Sequence, residues 1–294
     1  GIPKRFGGFE KAAEDLARNL PKQKFNVYVV CESQLRSHRI KIPGVRLVYF
    51  PVIDRIRAIS GILYDILSLI WSAFMSVDLV YLFGYSAGLF CLIPRFLGKA
   101  TVINVDGFEW RRRSFSRLQR FLLKRFEVAS SISANYIVCD SRVIEQYFRQ
   151  RYRVESVFIP YVAPLVSSAD ETLLERFKLK KEEYYLSVAR IEPENNFDLI
   201  IAGFKDSKTC RKLVIVGPMG NKRYSQELLK VKDDRVLFLG PIYDRKSIEA
   251  LRFYCFANIH GHEVGGTNPS LLEALGCSNA TLAMDVPFNR EVAE

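Results

Sequence analysis

Short β-branched apolar runs alternate with amphipathic helical stretches along almost the whole chain, and this alternation constrains the fold more than any other feature. Phe25–Cys31, Val45–Phe50, Leu79–Phe83, Thr101–Val105, Tyr136–Cys139 and Val157–Ile159 read as strands. Glu10–Leu20, Ser86–Leu97, Phe115–Ser133 and Val143–Arg151 read as helices among them. Strands apolar at nearly every position need cover on both faces, and the intervening helices supply it. The pattern restarts after Pro160–Pro164, with Tyr184–Val188, Lys212–Val216, Val236–Leu239, Ala257–Ile259 and Thr281–Met284 as strands. Phe197–Phe204, Ser225–Lys232, Arg245–Phe253 and Pro269–Leu275 are the helices of this second half. The expectation is an α/β protein of two doubly wound domains, residues 1–163 and 164–294, and a length of 294 residues suits two.

Both ends read as cut. GIPKRFGGFE looks like a glycine-rich loop entering a helix, yet the strand that normally feeds such a loop does not precede it. The other end stops one turn beyond a strand, after Pro287-Phe288-Asn289, and Gly1 stands where a Met would open a chain, so a fragment is expected. The run Ile59–Met75 carries Asp65 and is short for a membrane span, which needs about 20 residues; it reads as a buried or interfacial helix. Six cysteines are scattered without a CxxC pair, several inside apolar runs, and are expected to be reduced and buried in a cytosolic protein.

Charge is uneven. Residues 1–165 hold 25 basic and 13 acidic side chains, whereas residues 166–294 hold 18 and 19. The first half alone therefore suits an anionic partner such as a membrane, a nucleic acid or a phosphorylated substrate.

Three stretches carry possible chemistry. Gly7-Gly8 with Glu10 opens a helix, where free N–H groups attract anions, although a plain strand-to-helix turn explains the glycines equally well. In SVARIEPENN, Arg190 ends a strand at the edge where such sheets bind ligands, and an arginine there can clamp a diphosphate. An ion-paired surface arginine is the plain alternative. The stretch HGHEVGGTNPSLLEAL runs from a strand into a helix capped by Thr267 or Asn268, and Glu273 inside that helix could accept hydrogen bonds from a ribose. A surface glutamate is the alternative there, weakened by its apolar neighbours. His260 and His262 have no third ligand at metal-binding spacing, so no metal is expected.

GIPKRFGGFE, VINVDGFEWRRR, FIPY, ARIEPENN and GGTNPSLLEALG stand in this order, and together they resemble the retaining glycosyltransferases of family four, the two-Rossmann-domain or GT-B type. More narrowly, the chain is similar to the bacterial rhamnosyltransferase-like branch of polysaccharide assembly. The resemblance implies two domains facing a cleft, with acceptor binding by the first and nucleotide-sugar binding by the second. Position by position, it puts Arg190 on the donor diphosphate, Glu273 on the ribose, and Thr267 and Asn268 on sugar and phosphate. It puts Gly240 and Ile242 at the base, and Asp106 near the reacting sugar as a catalytic residue beside Arg190. Gly7, Gly8 and Asn195 join the donor-binding set. Asn195 stands where the wider family has a lysine, and Gly265 where it has a second glutamate eight positions before Glu273; Glu263 lies close to that place.

Between Gly107 and Glu127, basic residues interleave with Trp110, Phe115, Leu118, Phe121, Leu122 and Phe126, the pattern of an interfacial membrane helix. Trp110, Arg111, Arg112, Arg113, Arg117, Arg120 and Lys124 form the expected membrane set, with a solvated basic helix as the plain alternative. No nucleic-acid motif accompanies the charge, and nucleic acid is not expected as a partner. The combined expectation is a metal-independent enzyme without cofactor that moves L-rhamnose from dTDP-L-rhamnose to a lipid-linked saccharide, with retention. It would sit in the cytoplasm, peripheral on the inner face of the cell membrane. Two rivals remain: a non-catalytic nucleotide-sugar or lipid-binding subunit, and a glycoside hydrolase using Asp106 and Glu263 as its carboxylate pair.

Overall fold

The computed structural model describes all residues except 1, 3–7, 34–40, 51–56, 106 and 221, and the side chains of 57–60 and 222. Gly7 and Asp106 therefore lie outside the described residues. The chain forms two compact units. Gly1–Gly107 with Leu118–Ile159 make the first, and Phe108–Arg117 with Pro160–Glu294 make the second. A linear division at 163/164 does not anticipate the ten residues that the second unit takes from within the first half.

In the first unit, β1 (Val27–Glu32) pairs in parallel with β2 (Val45–Phe50). A second parallel sheet has the order β3 (Leu79–Phe83), β4 (Ala100–Val105), β5 (Tyr136–Cys139), β6 (Ser156–Phe158). The helices are α1 (Gly8–Asn19), α2 (Arg57–Phe74), α3 (Leu92–Phe96), α4 (Arg117–Ser133) and α5 (Arg142–Tyr152). The expected single helix over Ser86–Leu97 is split into a 3-10 turn, Gly88–Cys91, and the short α3. Among the described residues, no helix is long and apolar enough to cross a membrane. Ile103, Val105, Ile137, Cys139, Ile144 and Phe148 make the core between this sheet and its helices.

Among the carboxylates this unit buries, one joins two helices. Glu127 of α4 is fully inaccessible, and its Oε1 accepts from Lys124 Nζ at 2.7 Å, Tyr147 Oη at 2.8 Å and the Tyr152 hydroxyl. Three donors on one oxygen tie α4 to α5 and make the buried charge tolerable.

In the second unit the strands are β7 (Tyr184–Val188), β8 (Lys212–Val216), β9 (Val236–Gly240), β10 (Ala257–His260) and β11 (Thr281–Ala283). All five are parallel, in the order β11-β10-β7-β8-β9. Along β8, Val214 and Val216 face one layer with Leu186 and Leu251, while Leu213 and Ile215 face the other with Phe197 and Ile201. The covering helices are α6 (Phe197–Asp206), α7 (Lys222–Leu228), α8 (Arg245–Phe253) and α9 (Pro269–Gly276). A tenth helix, α10 (Pro287–Ala293), follows where the sequence reading had only a turn; its Pro287 sits in the first helical turn, where no N–H is needed. Five cysteines are buried, but Cys210 is exposed, contrary to expectation, because it falls in the loop before β8.

Replacing Glu127 by Leu removes the acceptor for three donors and strands them beside the α4–α5 contact. Lys124 can turn to solvent, so the expected loss is about 2–3 kcal/mol, read by urea denaturation. Lys124→Met added to Glu127→Leu should recover part of it.

Candidate functional site

A sheet ordered β11-β10-β7-β8-β9 winds outward from β7 in one direction and then restarts at β10 in the other. The crevice at such a reversal lies beyond the carboxyl ends of β7 and β10. The loop after β7 carries Arg190, and the loop after β10 carries Gly261 to Thr267, so two of the three sequence motifs meet at this reversal.

Hydrogen bonds stitch the two loops together. Asn195 donates from Nδ2 to the Arg190 carbonyl at 2.6 Å, and its Oδ1 lies 2.8 Å from His262 Nδ1. With Asn195 Oδ1 as the acceptor end, His262 carries its proton on Nδ1. Asn196, in the left-handed region at φ 49°, donates to the Gly261 carbonyl at 2.9 Å and to Glu263 Oε2 at 3.1 Å. Gly261 admits this approach because it lacks a side chain; a Cβ there would meet the Asn195 carbonyl oxygen at 2.3 Å. Asn289 of α10 closes the far side, donating to the His262 and Met284 carbonyls at 3.0 and 2.9 Å.

Arg190 stays half exposed, with Nη1 3.7 Å from Glu192 Oε1. Asn195 is buried, and both ends of its amide are engaged inside the loop. Gly265 has φ 125°, and a Cβ there would lie 3.3 Å from His262 Nε2. The imidazole thus stands beside the place where the wider pattern has a glutamate. Glu263 is held by Arg113, with Nε–Oε1 at 2.8 Å and Nη2–Oε2 at 3.0 Å. Asn268 caps α9 by accepting from the Ser270 N–H at 2.9 Å, and Thr267 is buried just before it. Glu273 lies in α9, its Oε2 2.6 Å from Arg252 Nη1. Gly240 ends β9 at φ 69°, and Ile242 packs against the core layer of β7 and β8. Gly8 begins α1 in the first unit, exposed.

The membrane set divides. Only Arg117, Arg120 and Lys124 lie on α4; Trp110 and Arg111 lie in a 3-10 turn, Glu109–Arg111, of the second unit. Arg111 stacks on the Phe108 and Trp110 rings, with its guanidinium carbon 4.5 and 5.1 Å from their centres. Arg112 pairs with Glu109 and approaches Glu192 Oε2 at 3.9 Å. The interfacial helix expected from Trp110 onward therefore starts only at Arg117; before it, Arg111 stacks on aromatic rings and Arg112 and Arg113 pair with carboxylates of the second unit.

Sequence reasoning missed Glu194, Arg252 and Ser114. Glu194 is fully buried; its Oε1 accepts from the Ser114 N–H at 2.8 Å and Oγ–H at 2.6 Å, while its Oε2 is buried without a partner. Burial pushes its pKa upward, but the Ser114 hydrogen bonds outweigh this and hold it below the usual range. The two histidines are the other titrating groups. Burial lowers His260 to about 4 and His262 to about 3, with neighbouring cations adding to the effect.

Two family models match the chain side by side. Residues 1–164 match a domain of unknown function, DUF1972, and residues 170–294 match glycosyl transferases group 1. The chain belongs to the DUF1972 family, and its residues 170–294 match the model of the group 1 glycosyl transferases. No curated protein matches it significantly. Among solved structures, it is similar to Anabaena Alr3699/HepE in complex with UDP and glucose. That match has 16% identity over 98% of this chain and 80% of the other, at a TM-score of 0.75. It is also similar to sucrose-phosphate synthase from Thermosynechococcus elongatus, with 15% identity over 95% and 76% and a TM-score of 0.80. A UDP-forming trehalose-phosphate synthase from Burkholderia xenovorans matches at 11% identity over 96% and 81%, with a TM-score of 0.65. The fold is the GT-B type.

Neutral buried histidines make stability depend on pH. Between about pH 6.5 and 4 the unfolded chain binds protons that His260 and His262 refuse when folded, so stability falls as pH falls. Each histidine contributes up to about 1.4 kcal/mol per pH unit. His260→Met should flatten the decline between pH 6 and 4.5, measured by denaturant titration at each pH; an unchanged slope would mean His260 charges freely in the folded protein.

Proposed function

We propose that the protein transfers a hexosyl group, L-rhamnose from dTDP-L-rhamnose, to a lipid-linked saccharide in cell-surface polysaccharide synthesis, with retention and without a metal. The observation that supports this most is the meeting, at the strand-order reversal of a group 1 glycosyltransferase domain, of a half-exposed Arg190 and a helix bearing Glu273. Arg190 is held only loosely by Glu192, at 3.7 Å, so a diphosphate can replace that carboxylate and take a bidentate pair. As the bond to the sugar breaks, charge grows on the departing diphosphate. The Arg190 guanidinium stabilises that charge more than it stabilises the intact donor, and Thr267 and Asn268 are the proposed contacts to sugar and phosphate. The departing phosphate then accepts the proton of the acceptor hydroxyl. Asp106, assigned through the family resemblance, steadies the reacting sugar.

Glu273 acts on the pentose. A thymidine nucleotide offers one pentose hydroxyl, the 3′-OH, and a uridine nucleotide offers two. UDP-sugars are the competing donors to test, since the HepE structure contains UDP. Gly240 and Ile242 are the proposed base contacts. Asn195, whose amide is engaged by the Arg190 carbonyl and His262, contributes by holding the arginine's loop.

Two variants separate these roles in steady-state kinetics with dTDP-rhamnose. Arg190→Ala is expected to lower kcat on the order of 10²–10³, as loss of one oxyanion donor does. Glu273→Gln is expected chiefly to raise the donor KM, because the pentose is held alike before and during the reaction. Full kcat in Arg190→Ala would remove Arg190 as the leaving-group clamp. Donor binding with no transfer to any lipid-linked saccharide would favour the binding-subunit reading.

The membrane reading rests on α4. Leu118, Phe121 and Leu122 are 67%, 55% and 41% exposed on a helix that also exposes Arg117 and Arg125. Apolar side chains open to water beside cations suit the interface of an anionic leaflet, and each cation there contributes about 1 kcal/mol. Arg117→Glu with Arg125→Glu should release the protein from phosphatidylglycerol vesicles in a flotation assay. Retention on those vesicles would locate the contact elsewhere.

A further inference from the structure

The second unit buries a cation that the chemistry above does not use. Arg252 stands in α8 with its side chain 5% exposed, and its guanidinium reaches two residues of α9. Nη1 lies 2.6 Å from Glu273 Oε2, and Nη2 donates to Ser270 Oγ at 3.0 Å. Ser270 Oγ in turn donates to the Val188 carbonyl at 2.7 Å, the last residue of β7 and two before Arg190. Arg252 Nε is buried without a partner.

Helix packing alone does not call for this arrangement. Apolar side chains join α8 to the sheet through Ala250 and Leu251, and a buried ion pair is commonly replaceable by apolar residues without loss of stability. What an arginine adds is geometry. Its planar fork holds two acceptors at a fixed angle, which an ammonium cannot do. Here the two acceptors are the carboxylate of Glu273 and the hydroxyl that ties α9 to the end of β7. A glutamate side chain has three rotatable bonds, and fixing one of its oxygens removes most of that freedom before a ligand arrives.

We propose that Arg252 is a positioning residue for nucleotide recognition: it holds the Glu273 carboxylate by Oε2 so that the carboxylate meets the 3′-hydroxyl of the donor's pentose. The proposal rests on the reading of Glu273 as the pentose acceptor. Through Ser270 and Val188, the same fork keeps that acceptor in register with the strand that delivers Arg190. The pentose and diphosphate contacts thus share one frame, and Arg252 touches neither.

The test is calorimetric binding of thymidine diphosphate and its 3′-deoxy analogue, with uridine diphosphate and its 3′-deoxy analogue alongside. The wild-type protein should prefer the 3′-hydroxyl at least tenfold. Arg252→Met and Glu273→Gln should each reduce that preference below threefold, while affinity for the 3′-deoxy ligand changes little. Equal weakening of both ligands in Arg252→Met, with the preference kept, is what a purely structural arginine gives and would overturn the proposal. A preference that survives in Glu273→Gln would instead remove Glu273 as the pentose acceptor, and the role of Arg252 with it. Should Arg252→Met not fold, Arg252→Lys carries the test: the preference should fall at least threefold because the fork is lost, and an undiminished preference overturns the proposal.

Discussion

The hydrogen bonds joining the loop after β7 to the loop after β10 determine everything around them. An all-parallel sheet that reverses its strand order leaves two carboxyl ends side by side, with backbone groups that no ladder satisfies. Asn195 and Asn196 answer that deficit directly, one by bridging the Arg190 carbonyl to His262, the other by reaching the Gly261 carbonyl and Glu263. The left-handed backbone of Asn196, the bare Cα of Gly261 and the Nδ1–H of His262 all serve this one contact. Without it, Arg190 and α9 would sit on independent loops.

The same contact bears on positions 195 and 265, where the family resemblance implies a lysine and a glutamate. A lysine at 195 would bring a second cation to the loop, but it could not both donate to a carbonyl and accept from an imidazole. A glutamate at 265 would need a side chain at φ 125° against His262. Asn195, His262 and Gly265 therefore fit one another as a single arrangement. A fixed network of Asn195, Asn196 and His262 joins the same loops.

The strands were legible in the sequence because burial on both faces leaves an unbroken apolar run, which neither a loop nor an amphipathic helix produces. Arg190 and Glu273 were legible for a related reason: each follows a recognisable strand or cap, so its place at the strand end or in the helix could be read locally. Glu194, Ser114 and Arg252 were not, since each owes its position to partners that sequence spacing does not show. Arg112 and Arg113 were misleading on the same ground. Beside Trp110 and Phe115 they look like an interfacial helix, and only the fold reveals the glutamates that pair with them. α10 was overlooked because Pro287 reads as a break when nothing shows that it opens a turn of helix.

Ser114 and Glu194 stand 80 positions apart, and Arg113 and Glu263 stand 150 apart. On a ribosome the chain emerges from its N-terminal end, so Arg113 and Ser114 are made long before the carboxylates that hold them. The first unit can close around β3 to β6 while this ten-residue excursion still waits for its partners. Contacts of such long range are slow to form, and Ser114 and Arg113 meet their carboxylates only after the loops following β7 and β10 have been made. The order of translation thus leaves Arg113 without Glu263 until 150 further residues have been made, while Arg112 already has Glu109 three positions before it.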